Sequence, residues 1–364
     1  MSSSPPASMQ VLGPSTGGIR RHVATLTTAL RDRGATAAVV GPEGVLGTEV
    51  PVDHALVVPG MGAIHRLPGA RRHLRDAAGA EGARVIHAHG LKAAMASLGG
   101  ALPVVMTVHN EVIPQTAGRA APLLAAVERR LASKVQQVIA VSPGIAEGLA
   151  DRVPAERLHV VVPVAPRPRP ERTAEEIRTL HGIAPDAPLV VSAARLHPQK
   201  DLPLLFGAVA DISATHPGLR VLVVGEGPQE EQLRSMASAL GLGEVVHFGG
   251  RSPHAVDELA AADVVALSSA WEGSPIVAAE ALQLGRPLVT TDVGDVATVV
   301  GNGEAGWLVE PGDRVGFAAA LADALDHPAE RERRGEEARR RSASIYEPEH
   351  LVDEVVEVYR EALR

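Results

Sequence analysis

Val264-Val-Ala-Leu-Ser-Ser-Ala-Trp271-Glu-Gly-Ser-Pro-Ile-Val-Ala-Ala-Glu280-Ala-Leu-Gln-Leu-Gly285-Arg-Pro-Leu-Val-Thr290 reads as a strand, a loop, a helix and a second strand. Residues 264–267 and 288–290 are short runs of apolar and β-branched side chains. Between them Ser274 is placed to cap a helix, Pro275 suits its first position, and 276–284 continue without a breaker until Gly285-Arg286-Pro287 stops them. Strands joined through a helix lie parallel and are covered on both faces.

The same alternation runs through nearly the whole chain. Strands are expected at 9–12, 36–40, 84–87, 104–108, 138–141 and 159–162, and again at 189–192, 221–224, 245–248, 264–267, 288–290 and 307–309. A chain of 364 residues has room for two cores. Pro163 to Thr173 contains four prolines, which remove backbone donors and favour an extended linker. The expected division is a disordered start over 1–8, a first domain over 9–165, a linker over 166–174, a second domain over 175–345 and a C-terminal helix over 346–364. In that last segment Leu351, Val352, Val355, Val356, Val358 and Leu363 follow a helical pattern, so it is expected to pack back on an earlier part of the molecule. The fold class is α/β, two doubly wound parallel sheets. Ligands of such sheets bind at the carboxyl ends of the strands, which places the expected site in a cleft between the two.

Composition narrows the function. No cysteine is present, which excludes disulfides and thiolate metal sites. The N-terminal residues carry neither a basic nor an apolar leader pattern, and nowhere do eighteen apolar residues run together. A cytoplasmic protein is expected. Residues 1–165 hold 16 Lys and Arg against 11 Asp and Glu, whereas the remainder holds 19 against 32. Such asymmetry can steer an anionic partner towards the first half.

Several residues fall where chemistry is expected. Arg195 and Lys200 lie five apart on the loop after strand 189–192, and together offer a planar fork and a point charge to one diphosphate. The free N–H groups of the first helical turn attract an anion, which would sit near Gly273 to Ile276. Glu272 precedes that turn and Glu280 lies two turns beyond it, so the pair can accept bonds from hydroxyls on either side of a diphosphate. Gly17 and Gly18 follow the first strand and allow close approach of backbone to ligand. His109 ends strand 104–108, where a neutral imidazole meets a sugar hydroxyl or a developing charge. His87 and His89 share a strand face without a third ligand spaced nearby, so no metal is expected. Gly225-Glu-Gly lacks the third glycine of a dinucleotide fingerprint and reads as a structural turn. Gly13-Pro-Ser15-Thr-Gly17 matches the nucleophile elbow formally and leaves a serine hydrolase using Ser15 as a remote alternative.

Taken together these residues resemble the retaining glycosyltransferases of family 4, of GT-B fold, over nearly the whole chain. The resemblance rests on the Glu-x7-Glu pair, the Arg-x4-Lys loop and the Gly-Gly loop. It implies that Glu272 contacts the donor sugar and Glu280 the ribose, that Arg195 and Lys200 hold the diphosphate, and that His109 lies by the sugar. It also places Arg251, in Phe248-Gly-Gly-Arg251, under the nucleobase, and Gly17, Gly18, Gly273, Ser274, Pro275 and Ile276 around the donor. The implied donor is a UDP- or GDP-linked hexose acting as co-substrate, with no cofactor and no metal. Among acceptors an anionic or lipid-linked molecule, a glycan or a secondary metabolite is expected, and no nucleic acid. Arg66, Arg71, Arg72 and Arg75 raise a peripheral contact of the N-terminal domain with the inner membrane face. A nucleotide-sugar epimerase and a non-catalytic sugar-nucleotide-binding protein are the alternatives. The chain departs from the family at Pro163 to Pro166, where Asn-Gly is frequent, and at Gly294-Asp295, where Gly-Gly is frequent.

Overall fold

In a computed structural model of the chain, which describes residues 4–15, 18–47, 50–110, 121–164, 167–252, 255–345 and 348–364, the apolar runs pair in parallel throughout. They form two compact units, one of residues 1–166 with 346–364 and the other of 167–345.

In the first unit the strands are β1 (Ser8–Leu12), β2 (Ala37–Gly41), β3 (His54–Ala55), β4 (Val85–His89), β5 (Val104–Val108), β6 (Gln137–Ala140) and β7 (Leu158–Val160). Among the described residues they lie in the order β3-β2-β1-β4-β5-β6-β7. Leu12 stands opposite His89, and His89 opposite Thr107, in register. Ser8, expected in a frayed start, is already strand, and the Ala7 carbonyl accepts from Arg84 N at 2.8 Å. Met9, Val11, Ile86, Met106 and Val138 build the core on one face of the sheet with the helices that cover it.

Helix Pro348–Ala362 packs on this unit through helix Gly18–Asp32 and strands β5 and β6. Its Leu351, Val352, Val355 and Tyr359 are buried. This return changes the electrostatic expectation. Residues 346–364 contain six acidic and two arginine side chains, so the first unit carries a net charge of only +1 and the second −9. Arg66, Arg71, Arg72 and Arg75 nevertheless stay exposed, around the start of helix Leu67–Ala80.

The second unit contains β8 (Leu189–Ala193), β9 (Arg220–Val224), β10 (Val246–Gly250), β11 (Val264–Leu267), β12 (Leu288–Thr291) and β13 (Gly306–Val309), ordered β10-β9-β8-β11-β12-β13. Thr173 opens the unit by accepting from Glu176 N at 3.2 Å while Glu176 accepts from Thr173 N at 2.7 Å, a reciprocal cap on helix Ala174–Leu180. Val190, Leu205, Phe206, Val223 and Phe317 fill the core on one face of the sheet. The chain from β8 runs outward to β9 on one side, whereas β11 lies on its other side. The order therefore reverses between β8 and β11, and a crevice is expected beyond the carboxyl ends of those two strands.

Candidate active site

Arg195 and Lys200 follow β8, and Glu272 follows β11, so the sheet order alone brings them to the point of reversal. The side chains meet there. Lys200 Nζ pairs with Glu272 Oε1, with the lysine side chain 19% and the glutamate 8% exposed. Ser269 Oγ donates to the same carboxylate oxygen at 2.6 Å. Gln199 Nε2 donates to Glu272 Oε2 at 3.3 Å and to the Trp271 carbonyl at 3.1 Å, while Gln199 Oε1 accepts from Arg195 Nη2 at 3.4 Å. Arg195, Lys200 and Glu272 thus belong to one network, with exposed Arg195 at its outer end. Gln199 and Ser269 are members that the sequence reading missed. The signal for Gln199 was its place between the two cations.

Backbone bonds hold the loops. Ala270 N donates to Gln199 O at 2.8 Å, and Ser268 Oγ to Lys200 O at 2.9 Å. Gly225 and Gly227 explain themselves here. A Cβ at either would collide with the carbonyl oxygen of Ala194 or Leu196, and Leu196 N donates to Glu226 O at 3.1 Å. The Gly-Glu-Gly turn is a structural turn that props up the Arg195 loop. Arg251, at the end of β10, is exposed, 3.7 Å from Glu226.

The helix after Glu272 begins later than the sequence reading expects. Pro275, in extended conformation (ψ 109°), is the N-cap, and Ile276–Gln283 is the helix. Ser274 does not cap it, because its hydroxyl turns towards Asp295 instead of the first helical N–H groups. Among the described residues the N–H groups of Gly273, Ser274, Ile276 and Val277 make no hydrogen bond, so four donors and the positive helix end collect beside Lys200. Glu280 is wholly enclosed in this helix, at 0% exposure.

Gly294 (φ 63°) lies against the same turn, where a Cβ would strike the carbonyls of Gly273 and Glu272. Asp295 N donates to Gly273 O at 3.1 Å. The Asp295 side chain is buried, 3% exposed, and no hydrogen bond of ordinary geometry reaches either carboxyl oxygen, although the Ser274 hydroxyl is near enough to favour ionisation. Burial dominates and raises its pKa to about 7, with Glu272 adding to the rise.

In the first unit Gly18 opens helix Gly18–Asp32 and is exposed; Gly17 lies outside the described residues. His109 follows β5, 8% exposed, with its Nε2 3.2 Å from His89 Nδ1. His87 and His22 lie against the same group, giving four neighbouring imidazoles. Both ring nitrogens of His87 and of His89 bond within the protein, as does His109 Nε2, and among the described residues no group of side chains has metal-holding geometry. The Ser15 hydroxyl donates to its neighbour Gly13 O at 3.1 Å, not to a histidine.

The model of the family "Glycosyl transferases group 1" matches residues 173–341, and that of "Glycosyltransferase Family 4" residues 16–163. A D-inositol 3-phosphate glycosyltransferase of Acidothermus cellulolyticus is 31% identical over 305 residues, 77% of this chain and 67% of the relative. A glycogen synthase of Mycobacterium tuberculosis is 34% identical over 174 residues, 47% of this chain; the match spans 42% of that relative, less than half its length. The Anabaena protein HepE, solved in complex with UDP and glucose, superposes with a TM-score of 0.84 at 22% identity, over 98% of this chain and 99% of its own. None of the described helices is long and apolar enough to cross a membrane. With two doubly wound parallel sheets, both halves matched and a relative 31% identical over 77% of this chain and 67% of its own length, the chain belongs to the GT-B glycosyltransferases of family 4.

Proposed function

We propose that the protein transfers a hexose-type sugar from a UDP- or GDP-linked donor to a hydroxyl of an acceptor, with retention of anomeric configuration. The observation that carries this reading is the joined Arg195, Gln199, Lys200 and Glu272 network beside four unbonded N–H groups of a helix start. Cations and N–H donors neutralise a diphosphate, and the carboxylate orients the sugar hydroxyls.

In the reaction the bond between the anomeric carbon and the phosphate oxygen breaks, and its electron pair leaves with the diphosphate. Arg195, Lys200 and the helix start stabilise that growing charge. Binding frees Lys200 from Glu272, since the phosphate replaces the carboxylate as its partner. The acceptor hydroxyl then bonds to the anomeric carbon on the face the diphosphate leaves, and its proton passes to the departing phosphate oxygen. No enzyme nucleophile and no metal enter this scheme. Glu280 is kept for the ribose, which reaches it only by displacing the atoms that cover it.

The relatives named for D-inositol 3-phosphate glycosyl transfer and glycogen synthesis support sugar transfer, and HepE, solved with UDP and glucose and with UDP-glucose, supports a nucleotide-sugar donor. The acceptor reading stays with hydroxyl compounds, anionic or lipid-linked ones included. A cytoplasmic protein touching the inner membrane face through Arg66, Arg71, Arg72 and Arg75 belongs to the same proposal.

A thermal-shift screen of UDP-, GDP- and ADP-sugars tests the donor class, because a ligand at a hundred times its Kd adds about 2.7 kcal/mol to the folded state. A UDP- or GDP-sugar is expected to raise the melting temperature. Conversion of UDP-N-acetylhexosamine without any acceptor would instead mark an epimerase, and no shift from any nucleotide sugar would sink the reading.

A further inference from the structure

Polar side chains occupy a face of β1, β4 and β5 where a covered parallel sheet ordinarily carries apolar ones. Gln10, His87 and Thr107 are wholly buried, and His22, His89 and His109 nearly so. Burial holds His22 at a pKa of about 4 and His87 at about 3, and keeps His89 and His109 well below the usual imidazole range. All four rings are therefore neutral near pH 7, and each carries one proton on one nitrogen.

The hydrogen bonds decide which nitrogen. Gln10 Nε2 donates to Ser8 Oγ and to Tyr359 Oη, both at 3.0 Å, which turns Gln10 Oε1 towards His89 Nε2 at 3.0 Å. A carbonyl oxygen only accepts, so His89 is protonated on Nε2 and its Nδ1 is a bare acceptor. His109 Nε2, 3.2 Å from that Nδ1, must donate. The proton of His109 is thus on Nε2. Its Nδ1 keeps a lone pair, and among the described residues no other group hydrogen-bonds the ring. The far end agrees: Tyr359 Oη, accepting from Gln10, donates to His87 Nδ1 at 2.8 Å, and His87 Nε2 donates to Thr107 Oγ1 at 2.6 Å.

We propose that Tyr359, Gln10 and His89 form a positioning relay that holds His109 in its Nε2–H form, so that the ring presents an acceptor to the ligand. The ligand group facing His109 is then an uncharged donor, a hydroxyl, and not a phosphate oxygen. This rests on the reading that His109 meets the donor sugar. It gives the C-terminal helix, through Tyr359, a role at a site far along the chain.

Long-range 1H–15N correlation spectra of the full chain labelled in histidine, at pH 7.5, read the tautomer directly, with His109→Gln identifying the signal. The expected pattern is a protonated Nε2 and a bare Nδ1. A proton on Nδ1, or on both nitrogens, would overturn the relay. Gln10→Leu removes the acceptor of His89 and is expected to convert the His109 signal to a mixture of tautomers; an unchanged pattern refutes the proposal. Should that variant not fold, Tyr359→Phe, which removes one anchor of the Gln10 amide and keeps the ring, is expected to move the spectrum the same way, and no change counts against the relay. The spectra need no substrate. A correct tautomer in a protein that binds no nucleotide sugar would therefore refute the transferase reading and leave the relay standing.

Discussion

Replacing Asp295 by asparagine should make the second unit more stable, and more so as the pH rises. The carboxyl is buried with no hydrogen bond of ordinary geometry, and its pKa is raised from 3.8 to about 7. Between those two values the unfolded chain is ionised at this position while the folded unit keeps the proton. The folded state then binds more protons than the unfolded one, so stability falls as pH rises from about 4 to about 7 and stays level above. Three units at 1.36 kcal/mol each put the penalty at about 4 kcal/mol at pH 8 and about 2 kcal/mol at pH 5. Asparagine has nearly the same shape and no charge. It should recover most of that difference, less the cost of burying its amide, of the order of 1–3 kcal/mol. Trp271 and Trp307 both belong to the second unit, so urea unfolding followed by tryptophan fluorescence reports on the right part of the molecule. The advantage of Asp295→Asn over wild type should shrink by about 2 kcal/mol from pH 8 to pH 5. A difference independent of pH, or one that grows on acidification, would refute the argument that burial dominates at this carboxyl.

The first unit should respond in the opposite sense. His22 and His87 are held near pKa 4 and 3, below the 6.5 of an unfolded chain, so the stability they allow is present above pH 6.5 and is lost as pH falls towards those values; at pH 4.5 the two together cost about 5 kcal/mol, seen as a circular-dichroism transition that tryptophan fluorescence does not follow. Lys200→Ala should lower kcat/KM by about 10² to 10³, the effect of losing one charged group at a developing oxyanion, in an assay of released nucleoside diphosphate. Gly294→Ala forces a side chain into a left-handed position against two carbonyls and should cost about 2 kcal/mol or more; an unchanged urea midpoint would show that the Glu272 turn does not need that close approach.

Much of the fold was legible because a parallel strand covered on both faces must be apolar along its length, and 104–108 and 264–267 are such runs. The two-residue strand His54–Ala55 overlaps the short apolar run 55–58 by a single residue and lies between Pro51 and Pro59, so the sequence does not mark it as a strand. At the site, Arg195, Lys200 and Glu272 could be singled out because each follows a strand's carboxyl end. That Lys200 and Glu272 pair was beyond reach, since the bond spans 72 residues and depends on β8 lying next to β11. The helix cap moved from Ser274 to Pro275 because the Ser274 hydroxyl turns towards Asp295, a tertiary contact that the local sequence does not show. Gln10 and Tyr359, and the bonds that His87 and His89 make to them, escaped for a different reason. Polar residues inside an apolar run read as interruptions until the partners that satisfy them, up to 349 positions away, are seen together. The C-terminal helix showed its apolar stripe in sequence, but not which unit it covers, and so the charge of the first unit came out too basic.

The central claim is that Arg195, Lys200 and the helix start after Glu272 are built to hold a diphosphate. Isothermal titration of UDP and of GDP into the wild-type chain and into Lys200→Ala tests it most directly. One of the two nucleotides should bind the wild type, with the affinity lowered about tenfold or more in the variant, as expected for a charge-assisted bond of about 1.5–3 kcal/mol. Equal affinity in the two proteins, or no binding of either nucleotide to the wild type, would contradict it.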